Sequence, residues 1–357
     1  MTDTLSRHAV IGILGGGQLG RMLSVAASRL GFRSHIFDPN PDAPATHVAD
    51  AVTTASFSNE TALTTFANSV DVITFEFENI PISALDVLGS YCAIKPDKEA
   101  LRISQDRLIE KTFLQSLDLQ TVEFVEVCDL LSLRNALDQI GTPAILKTRQ
   151  FGYDGKGQIC IVKEAEASHA FKSIDEAPAI LEKFVEFDLE ISVIAARGIN
   201  GSVAAFDPGQ NEHHDGILRK TIVPARVNVR QKTDAILISA KILNALDYVG
   251  VIGVEFFVTE NGLLVNEIAP RVHNSGHWTQ NACAVDQFEQ HIRAISGWPL
   301  SDGRRHVDVV MENLIGHDID QIPKIFEENN SAIHLYGKLE VKPGRKMGHV
   351  NRLIQVK

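Results

Sequence analysis

Two glutamates in the second half of the sequence are placed where they could hold a metal ion. Glu255 and Glu267 lie on two predicted strands that the segment Glu260 to Gly262 joins by a turn. Each glutamate is six residues from Asn261, so we expect the two to lie nearly opposite each other in a hairpin. Facing carboxylates repel unless a cation lies between them, and Mg²⁺ prefers such oxygen ligands together with substrate phosphates. A surface ladder paired with lysines is the alternative, but neither strand contains a lysine.

The segment after Glu267 is rich in side chains that bind anions or move protons. Arg271 can clamp an oxyanion with two parallel hydrogen bonds, and His273, Asn274 and His277 follow within six residues. Histidine has an ordinary pKa that suits proton transfer near neutral pH. A purely structural histidine is the alternative, since the sequence contains 13 histidines.

A third group of residues predicts a site for a polyphosphate. Lys147 ends a predicted strand, and the glycine-rich loop from Gly152 to Gly157 adds Lys156. Lysines and loop amides are the groups that bind phosphate oxygens. The segment Glu182 to Val185 offers the acceptor and the donor that an adenine edge needs, and Glu190 can bind ribose hydroxyls. Each residue taken alone is equally typical of a solvated strand end, so the prediction depends on the group as a whole.

A glycine-rich turn near the start of the chain predicts another anion site. Gly15, Gly17 and Gly20 follow the first predicted strand and open a helix, and Asp38 ends the next strand. A dinucleotide-binding fold has this pattern, with the acid on the ribose. The pattern is not specific, because free N–H groups at a helix N-terminus attract any phosphate, and Gln18 adds an amide donor. A tight turn without a ligand is the third interpretation.

An α/β organisation is predicted around these residues. Short apolar runs alternate with a helical pattern over about the first 95 residues, which predicts an open parallel sheet with Gly15, Asp38 and Glu76 at its carboxyl edge. One charged helix, Lys98 to Leu117, is expected to link this sheet to a second domain. The other predicted elements are strands at Ala144–Lys147, Ile159–Val162, Ala179–Phe184, Leu189–Ala195, Val203–Phe206, Gly253–Thr259 and Gly262–Ile268, a helix at Thr233–Leu246, and a basic, strand-like tail from Ile333.

Length and charge narrow the class of protein. At roughly 100 to 200 residues per domain, the 357 residues predict two or three domains. The formal charge of −11 gives no general attraction to nucleic acid. No stretch has the length and flanks of a signal or membrane segment, which predicts a protein of the cytoplasm with no membrane partner. The four cysteines are far apart and are expected to be reduced thiols in the core.

Taken together, these motifs resemble the ATP-grasp superfamily and, within it, the 5-(carboxyamino)imidazole ribonucleotide synthase family. The resemblance spans nearly the whole chain and rests on Gly15–Met22, Thr74–Asn79, Lys147–Gln158, Pro208–His213 and Asn266–Gln280. It implies an α/β and α+β ATP-grasp architecture. Its parts would be a Rossmann-like parallel sheet in residues 1–95, a central ATP-grasp domain in 96–300 with a mobile lid at about 120–180, and a small C-terminal β-rich domain in 301–357.

The resemblance also implies an activity and its partners. The expected reaction is the carboxylation of 5-aminoimidazole ribonucleotide by bicarbonate in purine biosynthesis, driven by ATP through carboxyphosphate, with ADP and phosphate as products. Magnesium is the expected metal, and a homodimer is the expected assembly. The first glycine turn would then bind the phosphate of the ribonucleotide rather than NAD.

Functional residues follow from the same resemblance. The implied ATP-binding residues are Arg107, Lys147, Gly152, Tyr153, Asp154, Gly155, Lys156, Gly157, Gln158, Glu182, Lys183, Phe184, Val185, Glu190, His213, Asn266 and Glu267. The implied ligands of Mg²⁺ are Glu255 and Glu267. The implied contacts to the ribonucleotide are Gln18, Glu76, Tyr153, Asp154, Lys338 and Arg345. The implied catalytic residues are Lys156 and the bicarbonate-binding group Arg271, His273 and Asn274.

Three other functions remain as alternatives. A nicotinamide-dependent dehydrogenase would use the first glycine turn and Asp38, but it leaves Lys147, Lys156 and the glutamate pair unexplained. A regulatory module would bind nucleotide without turnover. Another ATP-grasp ligase, such as a formate-using ribonucleotide transformylase, would share the nucleotide site and differ in the one-carbon substrate.

Overall fold

The first part of the chain forms a parallel sheet, as the alternation of apolar runs and helical patterns predicts. The computed structural model describes residues 4–152 and 155–354. The elements of this part are β1 (Val10–Leu14), α1 (Gln18–Arg29), β2 (Arg33–Phe37), β3 (Ala51–Thr53), α2 (Glu60–Ala67), β4 (Val72–Phe75) and α3 (Ile82–Gly89). The strand order is β3-β2-β1-β4, and all pairs are parallel. The carboxyl ends of β1, β2 and β4 therefore bring Gly15, Asp38 and Glu76 to one edge.

The prediction of one helix from Lys98 to Leu117 is wrong, because two helices occupy this segment. These are α4 (Lys98–Ser104) and α5 (Arg107–Ser116). Asp106 separates them with φ −128° and ψ 113°, and its carboxylate accepts the backbone N–H groups of Leu108 and Ile109 at 3.0 and 3.3 Å. An aspartate that caps a new helix in this way competes with continuation of the helix before it.

A second sheet, named the lid sheet after the lid predicted for this segment, carries the glycine-rich loop. Its elements are β5 (Phe124–Val127), α6 (Leu130–Ile140), β6 (Ala144–Thr148), β7 (Gln158–Ile161), α7 (Ala167–Ser173) and β8 (Ala179–Lys183). The strand order is β5-β8-β6-β7, and β6 and β7 pair antiparallel on either side of the loop, which confirms that predicted pair. Its hydrophobic cluster comes entirely from residues between 127 and 181, so this unit has its own core. The assignment of 120–180 as a mobile lid stays a prediction.

The remaining strands build one large antiparallel sheet. Its elements are β9 (Leu189–Arg197), β10 (Val203–Ala205), β11 (Gly209–His214), β12 (Ile217–Val223), α8 (Val229–Ala245), β13 (Gly250–Thr259), β14 (Gly262–Ala269), α9 (Thr279–Ala282), α10 (Gln287–Ser296), β15 (Asp308–Ile315), α11 (Ile322–Ile325), β16 (Ser331–Leu335) and β17 (Lys346–Ile354). The order is β14-β13-β9-β11-β12-β15-β17-β16, with β10 beside β9. The C-terminal strands thus continue the central sheet through β12, and the boundary at residue 300 stays a prediction.

The two faces of this sheet have opposite character, which decides where a polar site can form. One face of β9, β13 and β14 buries Ile191, Val254 and Phe256, packed with residues of α8 such as Ile242. Because side chains alternate along a strand, the other face carries the glutamates. Within residues 4–152 and 155–354, no helix is long and apolar enough to cross a membrane.

The expectation of four core thiols is wrong for two of them. All four cysteines are free, but Cys128 and Cys160 are exposed. Cys160 lies on β7, the edge strand of its sheet, and Cys128 lies just before α6. An edge strand has one face and one side open to solvent, so a small side chain there is not buried.

Candidate active site

A β-bulge places Glu255 directly opposite Glu267. In the β13–β14 hairpin Phe256 pairs with Val265, whereas Glu255 pairs with Glu267, so Asn266 is an extra residue in β14. A one-residue shift in register turns a side chain to the other face of a sheet. Without the bulge, Glu255 would lie opposite Asn266, and Glu267 would point into the hydrophobic face. The predicted opposition of the two carboxylates is therefore confirmed, but the bulge produces it.

The electrostatics of this pair fit a divalent cation. Burial and the facing carboxylate of Glu267 raise the pKa of Glu255. The two side chains are 15 and 41% exposed, so the pair is open on the Glu267 side. No group of three or more histidine, cysteine or acidic residues with metal-binding geometry occurs in the described part of the chain. Two carboxylates without a third protein ligand suit Mg²⁺, which is often held by one or two carboxylates plus substrate phosphates.

Helix α5 contacts this hairpin from its outer side. Arg107 Nη1 lies 3.7 Å from Glu267 Oε2, and Arg107 Nη2 donates to the carbonyl of Gly152 at 3.4 Å. Arg107 therefore joins the glycine-rich loop to the glutamate pair. Glu110 and Lys111 of the same helix contact the backbone of β14 and, for Lys111, also Glu182.

Two lysines converge on one buried carboxylate between α5 and the lid sheet. Lys111 Nζ and Lys147 Nζ lie 2.9 and 2.5 Å from the two oxygens of Glu182, and Lys111 and Glu182 are only 2% exposed. Burial alone would raise the pKa of Glu182, but the two lysines outweigh it and lower the pKa to about 2. Both carboxylate oxygens face lysines, so an adenine bound as predicted would have to share these oxygens with the lysines. That contact stays a prediction.

The rest of the predicted nucleotide site lies on neighbouring strands. Glu190 on β9 bonds to His213 Nδ1 on β11, and although burial opposes it, this bond raises the pKa of His213. Lys183 ends β8, and Phe184 and Val185 follow it. Gln158 pairs with Lys147 across β6 and β7, which places both beside the loop.

The glycine-rich loop folds back on the turn between β11 and β12. Gly155 and Gly157 have positive φ values of 77° and 70°. A Cβ on Gly155 would lie 3.2 Å from Gly216 Cα, so the loop and this turn are in close contact. Lys156 lies between the two glycines and is exposed. The predicted residues Tyr153 and Asp154 lie outside the described residues.

Arg271 and Asn274 lie on the loop that follows β14. Arg271 Nη2 forms an ion pair with Glu78 Oε1 at 2.8 Å. Burial raises the pKa of Glu78, and Arg271 opposes that shift. Both polar atoms of the Asn274 side chain are buried without a hydrogen-bond partner among the described residues. Buried polar groups normally have a partner, so this amide is suited to a ligand or a water molecule.

The hydrogen bonds of His273 fix which ring nitrogen carries the proton. The backbone N–H of Ser275 donates to Nδ1 at 3.4 Å, and the Ser275 hydroxyl lies 2.8 Å from the same nitrogen. The Ser192 hydroxyl donates to Ser275 Oγ at 2.7 Å, which leaves the proton of Ser275 free to donate to the ring. A nitrogen that accepts a backbone N–H has no proton of its own, so the neutral ring carries its proton on Nε2. Burial lowers the pKa of His273 well below its ordinary value.

His273 therefore presents an N–H donor to the site. Its Nε2 lies 3.8 Å from Glu255 Oε1, beside the glutamate pair. The backbone of His273 is held from both directions by Gln287, which accepts its N–H at 2.8 Å and donates to its carbonyl at 2.7 Å. In this form the ring can donate a hydrogen bond to an oxyanion but is a poor acceptor of a proton at Nε2.

The first glycine turn surrounds a side chain of the protein itself. Glu76 Oε1 accepts the N–H of Gly17 at 2.8 Å, Glu76 Oε2 accepts the N–H of Gly20 at 3.2 Å, and Asp38 accepts the N–H of Gly16 at 2.6 Å. The prediction that these N–H groups are free for a phosphate is wrong for all three. A Cβ on Gly17 would lie 2.5 Å from Glu76 Oε1, so the glycines make room for this carboxylate.

The contacts of Asp38 and Glu76 bear on the two ligands predicted for this turn, a dinucleotide and the ribonucleotide. Asp38 also accepts the N–H of Asn40 at 2.7 Å, so the dehydrogenase alternative lacks a free ribose acid. Burial raises the pKa of Glu76. Its carboxylate contacts the backbone at the start of α1, where Gln18 lies. The roles of both residues toward a ribonucleotide stay predictions.

Lys338 and Arg345 lie in the segment between β16 and β17. Lys338 Nζ donates to the carbonyl of Lys346 at 2.7 Å, and Arg345 Nη1 donates to the carbonyl of Glu340 at 3.1 Å. A Cβ on Gly337 would lie 3.6 Å from Arg21 Nη1, so this segment approaches α1. Their contacts to a substrate stay predictions.

Sequence patterns alone did not point to several residues of the site. Lys111 and Glu110 are charged residues in a predicted helix, and only their burial in the fold distinguishes them; Glu78 is partly exposed and is distinguished by its ion pair with Arg271. Ser192 and Ser275 form the relay to His273 across more than 80 positions of sequence. The spacing of Arg107, Glu110 and Lys111 along one helix face is the one clue that the sequence offers.

Three family models match successive parts of the chain. The ribonucleotide synthetase preATP-grasp domain matches residues 8–105, and the ATP-grasp domain matches residues 112–288. The phosphoribosylaminoimidazole carboxylase C-terminal domain matches residues 309–355.

Relatives cover nearly the full length. The N5-carboxyaminoimidazole ribonucleotide synthase of Brucella melitensis is 51% identical over 353 residues, which is 98% of each chain. A crystal structure of an N5-carboxyaminoimidazole ribonucleotide synthetase bound to ADP has a TM-score of 0.96 at 39% identity and covers 99% of this chain and 94% of that one. The Aspergillus clavatus enzyme with ADP and 5-aminoimidazole ribonucleotide has a TM-score of 0.92 at 30% identity, over 98 and 94% of the chains.

Proposed function

The chain belongs to the N5-carboxyaminoimidazole ribonucleotide synthases, a family of ATP-grasp ligases, and on that premise we propose how its residues divide the work. The enzyme carboxylates 5-aminoimidazole ribonucleotide to N5-carboxyaminoimidazole ribonucleotide at the expense of ATP, in purine biosynthesis. The fold predicted from the sequence, a parallel sheet followed by an ATP-grasp domain and C-terminal antiparallel strands, is confirmed.

We propose that bicarbonate is the one-carbon substrate and that carboxyphosphate is the intermediate. A bicarbonate oxygen attacks the γ-phosphorus of ATP, the bond to the β-phosphate oxygen breaks, and ADP leaves. The amine of the ribonucleotide then attacks the carbonyl carbon, inorganic phosphate leaves with the C–O bond electrons, and the amine loses a proton. Phosphorylation supplies the leaving group that bicarbonate lacks, and catalysis is mainly electrostatic.

The opposed pair of Glu255 and Glu267 is the observation that carries the proposed ATP-dependent chemistry. The residues fit Mg²⁺, which when bound would neutralise charge on the phosphates of ATP. Lys147 and Lys156 belong to the strand and the loop of the glycine-rich segment, and we assign them to the same phosphates, Lys147 in addition to its ion pair with Glu182. The ATP ribose would lie at Glu190 and His213, which are bonded to each other on the same face of the sheet.

The loop after β14 is assigned to the bicarbonate. Arg271 already binds Glu78 through Nη2 and the carbonyl of Val272 through Nη1, and its remaining N–H groups can bind an oxygen of the anion. The Nε2–H group of His273 can donate to another oxygen. The unpartnered amide of Asn274 adds a donor and an acceptor at the same place. Carboxyphosphate reacts readily with water, so the Gly152 to Gly157 loop would exclude water when it closes over the nucleotide.

The ribonucleotide is assigned to the edge of the parallel sheet and to the tail. Glu76 and Gln18 lie there, and Lys338 approaches α1 from the C-terminal segment. Tyr153, Asp154 and Arg345 are assigned to the ribonucleotide by family resemblance. We infer by the same resemblance that the enzyme is a homodimer of the cytoplasm, where its four free cysteines would stay reduced.

Release of ADP and phosphate tests the activity and the choice of substrate. Turnover should require both 5-aminoimidazole ribonucleotide and bicarbonate, and formate should not replace bicarbonate. A dehydrogenase would release no phosphate, and a regulatory module would bind ATP without turnover. Turnover with formate would overturn the assignment of bicarbonate.

Substitution of a single glutamate tests the metal assignment. Glu267→Gln keeps the shape of the side chain but removes its charge, so it should abolish ADP release while the thermal unfolding midpoint stays near that of the wild type. Glu260→Gln, on the exposed turn of the same hairpin, is the matched control and should be fully active. Activity of Glu267→Gln near the wild-type level would show that this carboxylate does not hold the metal.

A further inference from the structure

Side chains of α5 form hydrogen bonds with the outer edge of β14 at the position of the bulge. Strand β14 ends the large sheet, so one of its edges has no neighbouring strand from that sheet. On that edge the N–H of Ile268 donates to Glu110 Oε1 at 2.6 Å, and Lys111 Nζ donates to the carbonyl of Asn266 at 3.3 Å. One step earlier, the N–H of Val265 donates to the carbonyl of Gln120 at 2.8 Å.

These contacts fall on the residues that the bulge displaces. Asn266 is the extra residue of the bulge, and Ile268 follows Glu267 directly. A bulge leaves backbone groups without partners in the ladder, and an unpaired polar group in a buried place is costly. Glu110 and Lys111 are 3 and 2% exposed, so water has little access to replace them there.

A regular hairpin is the structure that competes with the bulge. In the regular register, Glu255 would pair with Asn266, and Glu267 would turn toward the hydrophobic face. The bulged register is favoured if the groups that it frees are satisfied, and α5 satisfies two of them. Arg107, one turn earlier on α5, adds its contact of 3.7 Å to the Glu267 side chain.

We propose that Glu110 and Lys111 are positioning residues that hold the bulge at Asn266 and so keep Glu267 opposite Glu255. In this proposal they act through the backbone on either side of Glu267 rather than as ligands of the metal. This inference rests on the proposed role of the glutamate pair in binding Mg²⁺. It assigns to α5 a function in metal binding in addition to its ion pair with Glu182.

Binding of ADP in the presence and absence of Mg²⁺ tests the proposal on the full chain. Calorimetry gives the affinity for ADP in EDTA, and a Mg²⁺ titration at saturating ADP gives the midpoint for the metal. Glu110→Ala removes the acceptor for the Ile268 N–H and should raise the Mg²⁺ midpoint at least about tenfold. Glu110→Gln keeps an oxygen acceptor of the same reach and should stay within about threefold of the wild type.

A second variant and a matched control keep the test decisive. Glu110→Asp retains the carboxyl group but is one methylene shorter, so it should weaken Mg²⁺ binding in the same way, and it decides the question if Glu110→Ala fails to fold. Thr112→Ala, an exposed position on the same helix, should behave as the wild type. Amide hydrogen exchange at Ile268 should be slow in the wild type and in Glu110→Gln, and faster in Glu110→Asp.

The outcomes separate this proposal from the metal assignment on which it rests. If wild-type ADP binding does not respond to Mg²⁺, the metal assignment fails, and the positioning role fails with it. If the wild type responds and Glu110→Asp binds Mg²⁺ equally well, only the positioning role is refuted. It is also refuted if Glu110→Gln is as impaired as Glu110→Asp, or if affinity for ADP in EDTA falls in the same proportion as affinity for Mg²⁺.

Discussion

Replacement of Lys111 by methionine tests the buried ion pairs that join α5 to the lid sheet. Lys111 Nζ lies 2.9 Å from Glu182 Oε1, and both residues are 2% exposed. Removing one member of such a pair costs about 3 to 5 kcal/mol when the remaining charge has no partner. Here Lys147 stays at 2.5 Å from the other oxygen of Glu182, so the loss should lie below that range.

The pKa of Glu182 gives a second measure of the same interaction. The fall from 4.5 to about 2 corresponds to roughly 3 kcal/mol of stabilisation from both lysines, net of burial. Lys111 supplies part of this, so we expect Lys111→Met to lower the free energy of unfolding by about 2 kcal/mol at pH 7. Because the pKa of Glu182 is lower in the folded state than in the unfolded one, its contribution is complete above pH 4.5 and disappears as the pH falls toward 2. The deficit of the variant should therefore shrink at low pH.

Urea denaturation at pH 7 and pH 3, followed by circular dichroism, measures both effects. The matched control is Lys98→Met, which removes a lysine whose ion pair with Asp86 is about half exposed and should change stability little. A deficit of Lys111→Met equal to that of Lys98→Met would refute the reasoning. A deficit that is the same at pH 7 and pH 3 would refute the assignment to Glu182.

Two further substitutions test local geometry. Ser275→Ala removes the hydroxyl beside Nδ1 of His273 but keeps the backbone donor. We therefore expect kcat for ADP release to fall about tenfold with little change in stability. An unchanged kcat would mean that the hydroxyl does not help to fix the proton on Nε2. Gly17→Ala would place a Cβ 2.5 Å from Glu76 Oε1 and should lower the unfolding midpoint and weaken binding of the ribonucleotide, whereas Gly89→Ala, whose nearest atom would be 3.6 Å away, should leave both near wild-type values. Equal thermal shifts for the two glycines would contradict the close approach of Glu76.

Local patterns predicted the elements well but not the contacts between them. The strands around the glycine-rich loop and the hairpin that carries Glu255 and Glu267 follow from spacing and turn residues, which are local properties of the chain. The bulge at Asn266 does not, because its partners on α5 are more than 150 positions away in sequence. The break at Asp106 was missed because an aspartate inside a charged helical pattern looks like a surface residue until its cap is seen.

The first glycine turn shows why a motif alone was misleading. Glycines after a strand indicate that something approaches the backbone closely, but they do not say what approaches. In this fold it is Glu76, which comes from a strand 59 positions after Gly17. A similar limit applies to Glu182, whose two lysine partners lie on separate elements and could not be paired with it from sequence.

Helix α5 determines where the chain is best divided when segments are exchanged between related enzymes. Asp106 at its start binds the guanidinium of Arg149 at the base of the glycine-rich loop with a shortest distance of 2.7 Å, and Lys111 reaches Glu182 on β8. A chimaera that transplants residues 120–180 alone would bring in foreign partners for both contacts. A transplant that begins before Asp106 carries the helix along with the sheet it supports, and is the graft more suited to preserve a working enzyme.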